Sequence, residues 1–466
     1  MTSLLQRLGQ LAGVTIVLAV IGYPVLHWYF ERTVSPWLGY LAVVLGFGAG
    51  IVVLTWRGGL QRLVGAIGGM NARRYVIALL VTSFILHFAV LRIMESIPSA
   101  EAPAKYGSWI FFKASAIYPP GDRFMDTAVK FLLGNSPPLT TILYVSVMVT
   151  FACWMVYRLG SMALGETAGR LAGLLLCILP SWLLYGNLEY DLLLGTLLLL
   201  LTYMFFARPP AAHKWWYLAL YGLVLGFSCL VKPICQLFPV VAFVIYLATR
   251  SRFVRAIKKT AVITVFMLAA IAPWTIRNYR ALGKFVFIST NLGVILYTAN
   301  NDQADGREMM IYPLPSDKDE VEWDRRLKRE ARQWIMDNPR QFLKLTAYRV
   351  GWLWGSDSSF VSTNLHEKVS PLGMSAARGI VQVFYIALVM VWVWGLFIFR
   401  REVIGSVISL TCLAPIMYIW GLHLVCQAHG QHHLPVLPFM IILVGGILVR
   451  RAAAATEAIR PNRVSS

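Results

Sequence analysis

Gly121-Asp122-Arg123-Phe124-Met125-Asp126 sets two acids and a base into a chain that is 58% hydrophobic and only 14% charged. The hexapeptide lies in a polar loop, residues 95–138, between an apolar run ending near residue 94 and another starting near residue 139. Runs of this length cross a hydrocarbon core of about 30 Å. The loop therefore reads as a connection between membrane spans, and the fold follows by working outward from it. Apolar windows recur at 9–30, 35–56, 75–94, 139–157, 170–186, 191–207, 215–231, 234–249, 260–276, 375–399, 403–422 and 434–449. This pattern predicts an α-helical polytopic membrane protein with about twelve transmembrane helices. The first run is too long for a signal-peptide core and no clear cleavage site follows it, so it counts as a span.

Charge assigns the sides. With a cytoplasmic N-terminus, the short inner loops hold 20 of the 42 Lys and Arg but only Glu166, Glu402 and Glu457 of the 22 acids. The inside is then +17 and the outside +3, the positive-inside signature of a chain with both termini in the cytoplasm. This asymmetry accounts for the net +20, so nucleic acid is not needed as a partner. The expected location is a cell inner (cytoplasmic) membrane, with loop 95–138 facing outward. Six cysteines, most of them inside apolar runs, show no framework of paired spacings and predict no disulfides.

The same reading divides the chain. Residues 1–74 form two N-terminal spans and a basic loop, 75–276 a membrane core, 277–371 an extracytoplasmic domain, and 372–466 the last spans with a basic tail. A polar stretch of roughly 95 residues is too long for an idle connection. It reads as a small α/β domain, with a strand at 284–290, a turn cluster at 300–306 and a charged amphipathic helix at 318–336. A second helix at 339–354 is expected to rest Trp352 and Trp354 on the membrane.

Several polar residues stand out against this background. Residues 125–133 have helical periodicity, which places Asp122 just before or at the N-terminus of a short helix. An Asp there commonly caps the helix. Glu189 and Asp191 occupy an outer turn between two apolar helices and have to face water or a polar cavity, because a carboxylate in lipid is costly. Lys232-Pro233 turns the next pair without a local acid; such a Lys either snorkels or meets a lipid phosphate as a point charge. Trp274, Arg277 and Arg280 mark the outer interface after the next span. Gly46-Phe47-Gly48-Ala49-Gly50 reads as a helix-packing face, since no strand precedes it to make a phosphate cradle. His87 reads as a hydrogen-bonded core group. His423, His429, His432 and His433 with Cys426 include metal-ligand types, but no paired zinc spacing appears and Gly430 interrupts any single helical face. Polar histidines facing substrate are the default there.

The ordered set resembles the GT-C class of glycosyltransferases that use polyprenyl-phosphate sugars, which includes protein O-mannosyltransferase relatives and lipid A aminoarabinose transferases. The resemblance runs from about residue 75 to 449. It rests on Asp122, Ala128, Leu132-Leu133-Gly134 and Ser136-Pro137-Pro138 in the first outer loop, then on Glu189, Lys232-Pro233, Pro273-Trp274 and Arg277-Asn278. Ser289-Thr290-Asn291-Leu292-Gly293, Asn300-Asn301 and His432-His433-Leu434-Pro435 continue it. The aromatic usually found after the first acid is replaced by Met125 or Asp126, so Asp122 and Asp126 both stand as catalytic candidates. Relatives often carry an Arg where this chain has His432-His433.

The resemblance implies a transferase that moves a sugar from a polyprenyl-phosphate donor to an acceptor hydroxyl, outside the membrane, with inversion and an Asp general base. Lys232 and Arg277 would stabilise the leaving phosphate; Glu189 and Asp191 would hold hydroxyls, with Asn278, Asn291 and His433 as further substrate contacts. No obligatory metal or other cofactor is implied, although some members of the class use a divalent ion. The expected partners are the lipid-linked donor, a glycan, lipid or protein acceptor, and membrane lipids. Two alternatives share parts of the pattern: a polysaccharide ligase or polymerase, and a twelve-helix secondary transporter. No internal repeat and no matched pair of Gly/Pro-broken spans supports the transporter.

Overall fold

Every apolar window from residue 75 onward contains helix, and the computed structural model describes residues 58–96, 115–133, 137–184, 189–307, 319–358, 361 and 370–459, with a few positions between 7 and 20. The spans predicted at 9–30 and 35–56, and the packing face at 46–50, fall almost wholly outside these residues. In chain order the helices are α1 (Gly59–Gly69), α2 (Ala72–Ser96), α3 (Gly121–Leu133), α4 (Pro137–Leu164), α5 (Glu166–Cys177), α6 (Pro180–Leu184), α7 (Glu189–Ala207), α8 (Trp215–Val231) and α9 (Phe238–Ala248). They continue as α10 (Phe253–Leu282), α11 (Leu292–Ala299), α12 (Glu320–Asp337), α13 (Pro339–Trp354), α14 (Pro371–Ile398), α15 (Arg400–Val403), α16 (Val407–His423) and α17 (Leu437–Ile459). Ala72–Met94, Leu139–Leu164, Phe253–Leu282, Leu372–Ile398 and Gly430–Thr456 are each long and apolar enough to cross a membrane, and four shorter apolar helices pack among them. Helix α17 is the centre of the bundle, with Phe439, Met440, Ile441, Ile442 and Leu443 all fully buried.

Close helix packing depends on small residues, because lipid offers no hydrophobic drive between helices. On α8 the spacing Gly222-Leu223-Val224-Leu225-Gly226 lays the backbone against α10: a Cβ on Gly222 would come 2.5 Å from the Ile263 carbonyl oxygen, and one on Gly226 would come 2.6 Å from that of Met267. The broken span at 170–186 has an equally local cause. Helix α5 stops at Cys177, and Pro180, which lacks an N–H, opens α6.

Arg170, read in the sequence only as a topology charge, closes the opposite end of the bundle. Its buried guanidinium donates to the carbonyls of Ile67 at 2.9 Å, Gly68 at 3.2 Å and Met70 at 2.6 Å, and to Glu166 at 3.0 Å. Those carbonyls belong to the last turn of α1 and its exit, where helix acceptors run short of intrahelical donors; that of Ile67 also accepts the Met70 N–H at 3.4 Å. Arg170→Met leaves them without that donor and is expected to cost about 2–4 kcal/mol. A fall in the unfolding midpoint of the detergent-purified protein checks this.

The segment 277–371 departs from the predicted α/β form among its described residues. The helices at 318–336 and 339–354 are present as α12 and α13, and the Asp319 side chain caps α12 by accepting the Glu322 N–H at 3.1 Å. Residues 284–290 make no strand, and no strand occurs among the described residues. The reason lies in α10, whose side chains occupy the place of a partner strand. Asn278 Nδ2 donates to the carbonyls of Val286 and Ile288 at 3.3 and 3.1 Å, Trp274 Nε1 to Ile288 at 2.8 Å, and Thr275 Oγ1 to Phe287 at 2.7 Å. Trp352 and Trp354 are buried at 5% and 0% exposure instead of resting on the membrane. Trp352 donates its indole N–H to the Asp305 carbonyl at 3.0 Å, and Trp354 stacks on His433. His87 is the core group expected, with Nδ1 2.7 Å from the Ser83 carbonyl one turn earlier.

Candidate active site

Helix α3 starts immediately after Pro119-Pro120, so Asp122 belongs to its first turn and does not precede it. The i, i+4 spacing puts the backbone positions of Asp122 and Asp126 on one helical face; their side chains lie outside the described residues, as does that of Glu189. The placement of α3 is set by Gly121. A Cβ there would meet the Val231 nitrogen at 2.5 Å and the Leu230 carbonyl carbon at 2.6 Å, so the first turn of α3 abuts the end of α8 one residue from Lys232. Gly121→Ala is expected to push α3 off α8 and lower any activity that depends on their register about tenfold or more. It should cost stability only about 1–3 kcal/mol; comparing turnover with the unfolding midpoint separates the two effects.

Lys232 forms an ion pair with Asp191, which is fully buried at the start of α7. The Lys232 side chain keeps 20% exposure. Asp191 Oδ2 has no hydrogen-bond partner among the described residues. The ion pair thus joins two positions that the sequence had treated separately, a turn acid and a lone Lys.

A second set of contacts holds the approach to α3. Arg277 Nη1 donates to the Ser115 carbonyl at 2.8 Å and to Asn278 Oδ1 at 3.1 Å, and its guanidinium sits 4.7 Å over the Trp274 ring. Trp274 in turn meets Phe124 of α3 edge-on, with ring centroids 5.9 Å apart. Glu320 at the start of α12 accepts the Ala116 N–H at 2.6 Å and the Ser115 hydroxyl at 2.7 Å. Asn278 is fully buried and engaged with backbone carbonyls, and Asn291 stands at the N-cap position of α11, its Oδ1 accepting the Ser289 hydroxyl at 2.9 Å. These contacts tie residues 115 and 116 to α10 and α12, and α10 to α3.

The histidine segment divides in two. His433 is fully buried, its Nδ1 donating to the Leu353 carbonyl and its Nε2 3.1 Å from Asp357 Oδ1, with its ring between Trp354 and Tyr385. Neither ring nitrogen is left for a ligand. His423 and His432 instead stack on each other at 4.6 Å and have Lys232 as a charged neighbour. Among the described residues no group of three or more His, Cys, Asp or Glu side chains is placed to hold a metal ion.

Arg349 of α13, which the sequence reading did not single out, fixes this segment to the end of α11. It is fully buried and donates to the carbonyls of Ala299 and Leu424, the latter at 2.8 Å, and to Asn300 Oδ1 at 2.6 Å. Burial lowers its guanidinium to about 10. A single Arg in an amphipathic helix carries no sequence signal that distinguishes it from a solvated one. A separate open cavity of about 850 Å³ lies between the 297–303 turn and the end of α12, with Trp334, Asp302 and Arg329 in its wall. It shares no lining residue with the Asp191–Lys232 group.

Residues 119–276 match the family model described as dolichyl-phosphate-mannose-protein mannosyltransferase. The matched stretch contains Asp122, Asp126, Glu189, Asp191, Lys232 and Trp274, so the family model agrees there with the glycosyltransferase resemblance read in the sequence. Among solved structures, the chain is similar to the crystal structure of ArnT from Cupriavidus metallidurans bound to undecaprenyl phosphate. The identity is 13% and the TM-score 0.37, over 83% of this chain and 80% of that one. No curated protein matches the chain.

Proposed function

We propose that the chain is an integral-membrane glycosyltransferase that moves a sugar from a polyprenyl-phosphate donor to an acceptor hydroxyl on the outer face of the cytoplasmic membrane. The observation that carries the reading is the backbone contact of Gly121 with Leu230 and Val231. It sets the acid-bearing first turn of α3 one residue from Lys232, the partner of the buried Asp191, within the stretch that the family model covers.

Such a reaction needs a base, a cation at the depth of the lipid phosphate, and partial exclusion of water. Asp122, with Asp126 one turn on, supplies the base. It takes the proton of the acceptor hydroxyl as that oxygen attacks the anomeric carbon. The bond from that carbon to the phosphate oxygen breaks as the new one forms, and the electron pair leaves with the polyprenyl phosphate. One displacement at one centre gives inversion. Lys232 neutralises the charge that develops on the phosphate, and Asp191 holds the ammonium in position, so little reorganisation is needed when the bond breaks. Glu189, beginning the same helix as Asp191, is placed to hold a sugar or acceptor hydroxyl. The phosphate ester supplies the driving force, and no nucleotide or metal enters the scheme.

The test is transfer of radiolabel. Membranes containing the protein, supplied with a polyprenyl-phosphate sugar, are expected to move label from the lipid into an aqueous-phase or acceptor-lipid product. Label that stays in the donor lipid, with solute uptake by the same vesicles, would point instead to a transporter.

A further inference from the structure

Two imidazoles in the last outer segment have no role in the chemistry above. His423 ends α16, and His432 lies in the 3-10 turn Gly430–Val436; their rings are 4.6 Å apart with planes inclined by 11°. The backbone fixes each ring in a different tautomer. His423 Nδ1 is 2.6 Å from the Gln427 carbonyl oxygen, which can only accept, so Nδ1 carries the hydrogen and Nε2 is a bare lone pair in the neutral ring. His432 is the reverse case. Its Nδ1 accepts the His429 N–H at 3.2 Å, which puts the hydrogen of the neutral ring on Nε2.

The couple is tied to the phosphate-binding end of α8. Lys232 is a charged neighbour of both rings, and Tyr418, five residues before His423 on the same helix, donates its hydroxyl to the Ile234 carbonyl two residues after Lys232. Both residues are half-buried. A second positive charge here would repel Lys232, whereas a neutral N–H adds direction without charge.

Resting on the transferase reading above, we infer that His432 is a second phosphate-binding residue of the site. Its Nε2–H, held in that tautomer by the His429 amide, donates to a non-bridging oxygen of the polyprenyl phosphate beside Lys232. The His423 ring stacked against it fixes the plane of that donor. Lys232 supplies the charge and His432 the orientation, which leaves the product phosphate free to dissociate more readily than it would from two cations.

Polyprenyl phosphate without its sugar is the probe, used as an inhibitor of transfer by the full-length protein. His432→Phe keeps a ring to stack on His423 but has no N–H. It is expected to raise both the Ki of polyprenyl phosphate and the KM of the donor about tenfold or more, with kcat within about threefold. His432→Gln carries an amide N–H at a similar reach and is expected to restore both constants to within about threefold of the starting protein, a rescue that a merely structural role would not give. His432→Leu serves as the donor-less variant if the larger ring is not accommodated. An unchanged Ki in the donor-less variant overturns the inference and leaves the transferase reading standing. Failure of the unsubstituted protein both to transfer sugar and to bind polyprenyl phosphate overturns the reading beneath it.

Discussion

Asp122→Asn leaves the bundle folded and lowers sugar transfer by about 10²–10⁴, the usual worth of a positioned general base. Asn serves as well as Asp near a helix N-terminus, and the change there forgoes only about 0.3–1 kcal/mol of favourable interaction with the helix dipole. Stability and catalysis therefore separate cleanly at this position. The loss is expected in kcat, with the KM of the lipid-linked donor little altered, because the base acts on the acceptor. The paired measurement is Asp126→Asn, one turn further along the same face of α3. Retained turnover in Asp122→Asn together with its loss in Asp126→Asn transfers the role of base to Asp126. Retention in both removes the scheme in which a carboxylate of α3 is the general base.

Lys232→Met gives the second large effect, and it falls on the fold and the reaction together. Asp191 is fully buried, one carboxylate oxygen is held by Lys232, and the other has no partner among the described residues. Removing the ammonium strands that carboxylate and is expected to cost about 3–5 kcal/mol. Transfer is expected to fall by about 10²–10³ beyond any loss of folded protein, since a preorganised charge at the leaving group is removed. The double variant Asp191→Leu with Lys232→Met distinguishes the two contributions. It removes both charges at once and is expected to regain most of the thermal stability while remaining inactive. Recovery of transfer by the double variant would show that Lys232 has no part in the chemistry.

The sequence made the membrane helices legible because hydropathy and loop charge are properties of neighbouring residues. The window 215–231 has the same bounds as α8, and 339–354 the same as α13. Contacts made across the chain were not legible. Lys232 was read as lacking a local acid, yet its partner Asp191 stands 41 residues earlier. Lys284-Phe285-Val286-Phe287-Ile288 has the composition of a strand, but its backbone is satisfied by side chains of α10, a solution that β-propensity cannot anticipate. Adjacent residues also took opposite roles. His433, expected at the substrate, points into the core, while His432 stacks on His423 beside Lys232. In a 3-10 turn consecutive side chains leave in directions about 120° apart, so one register step decides between core and cavity.

The ties from Trp274, Thr275 and Asn278 to residues 286–288 also bear on what counts as a module in this protein. A cut near residue 277 would separate residues 286–288 from the helix that saturates their carbonyls. The border between the two segments therefore runs through side chains and not at a point along the chain. Grafting residues 283–358 onto another protein would require the last three turns of α10 to travel with them.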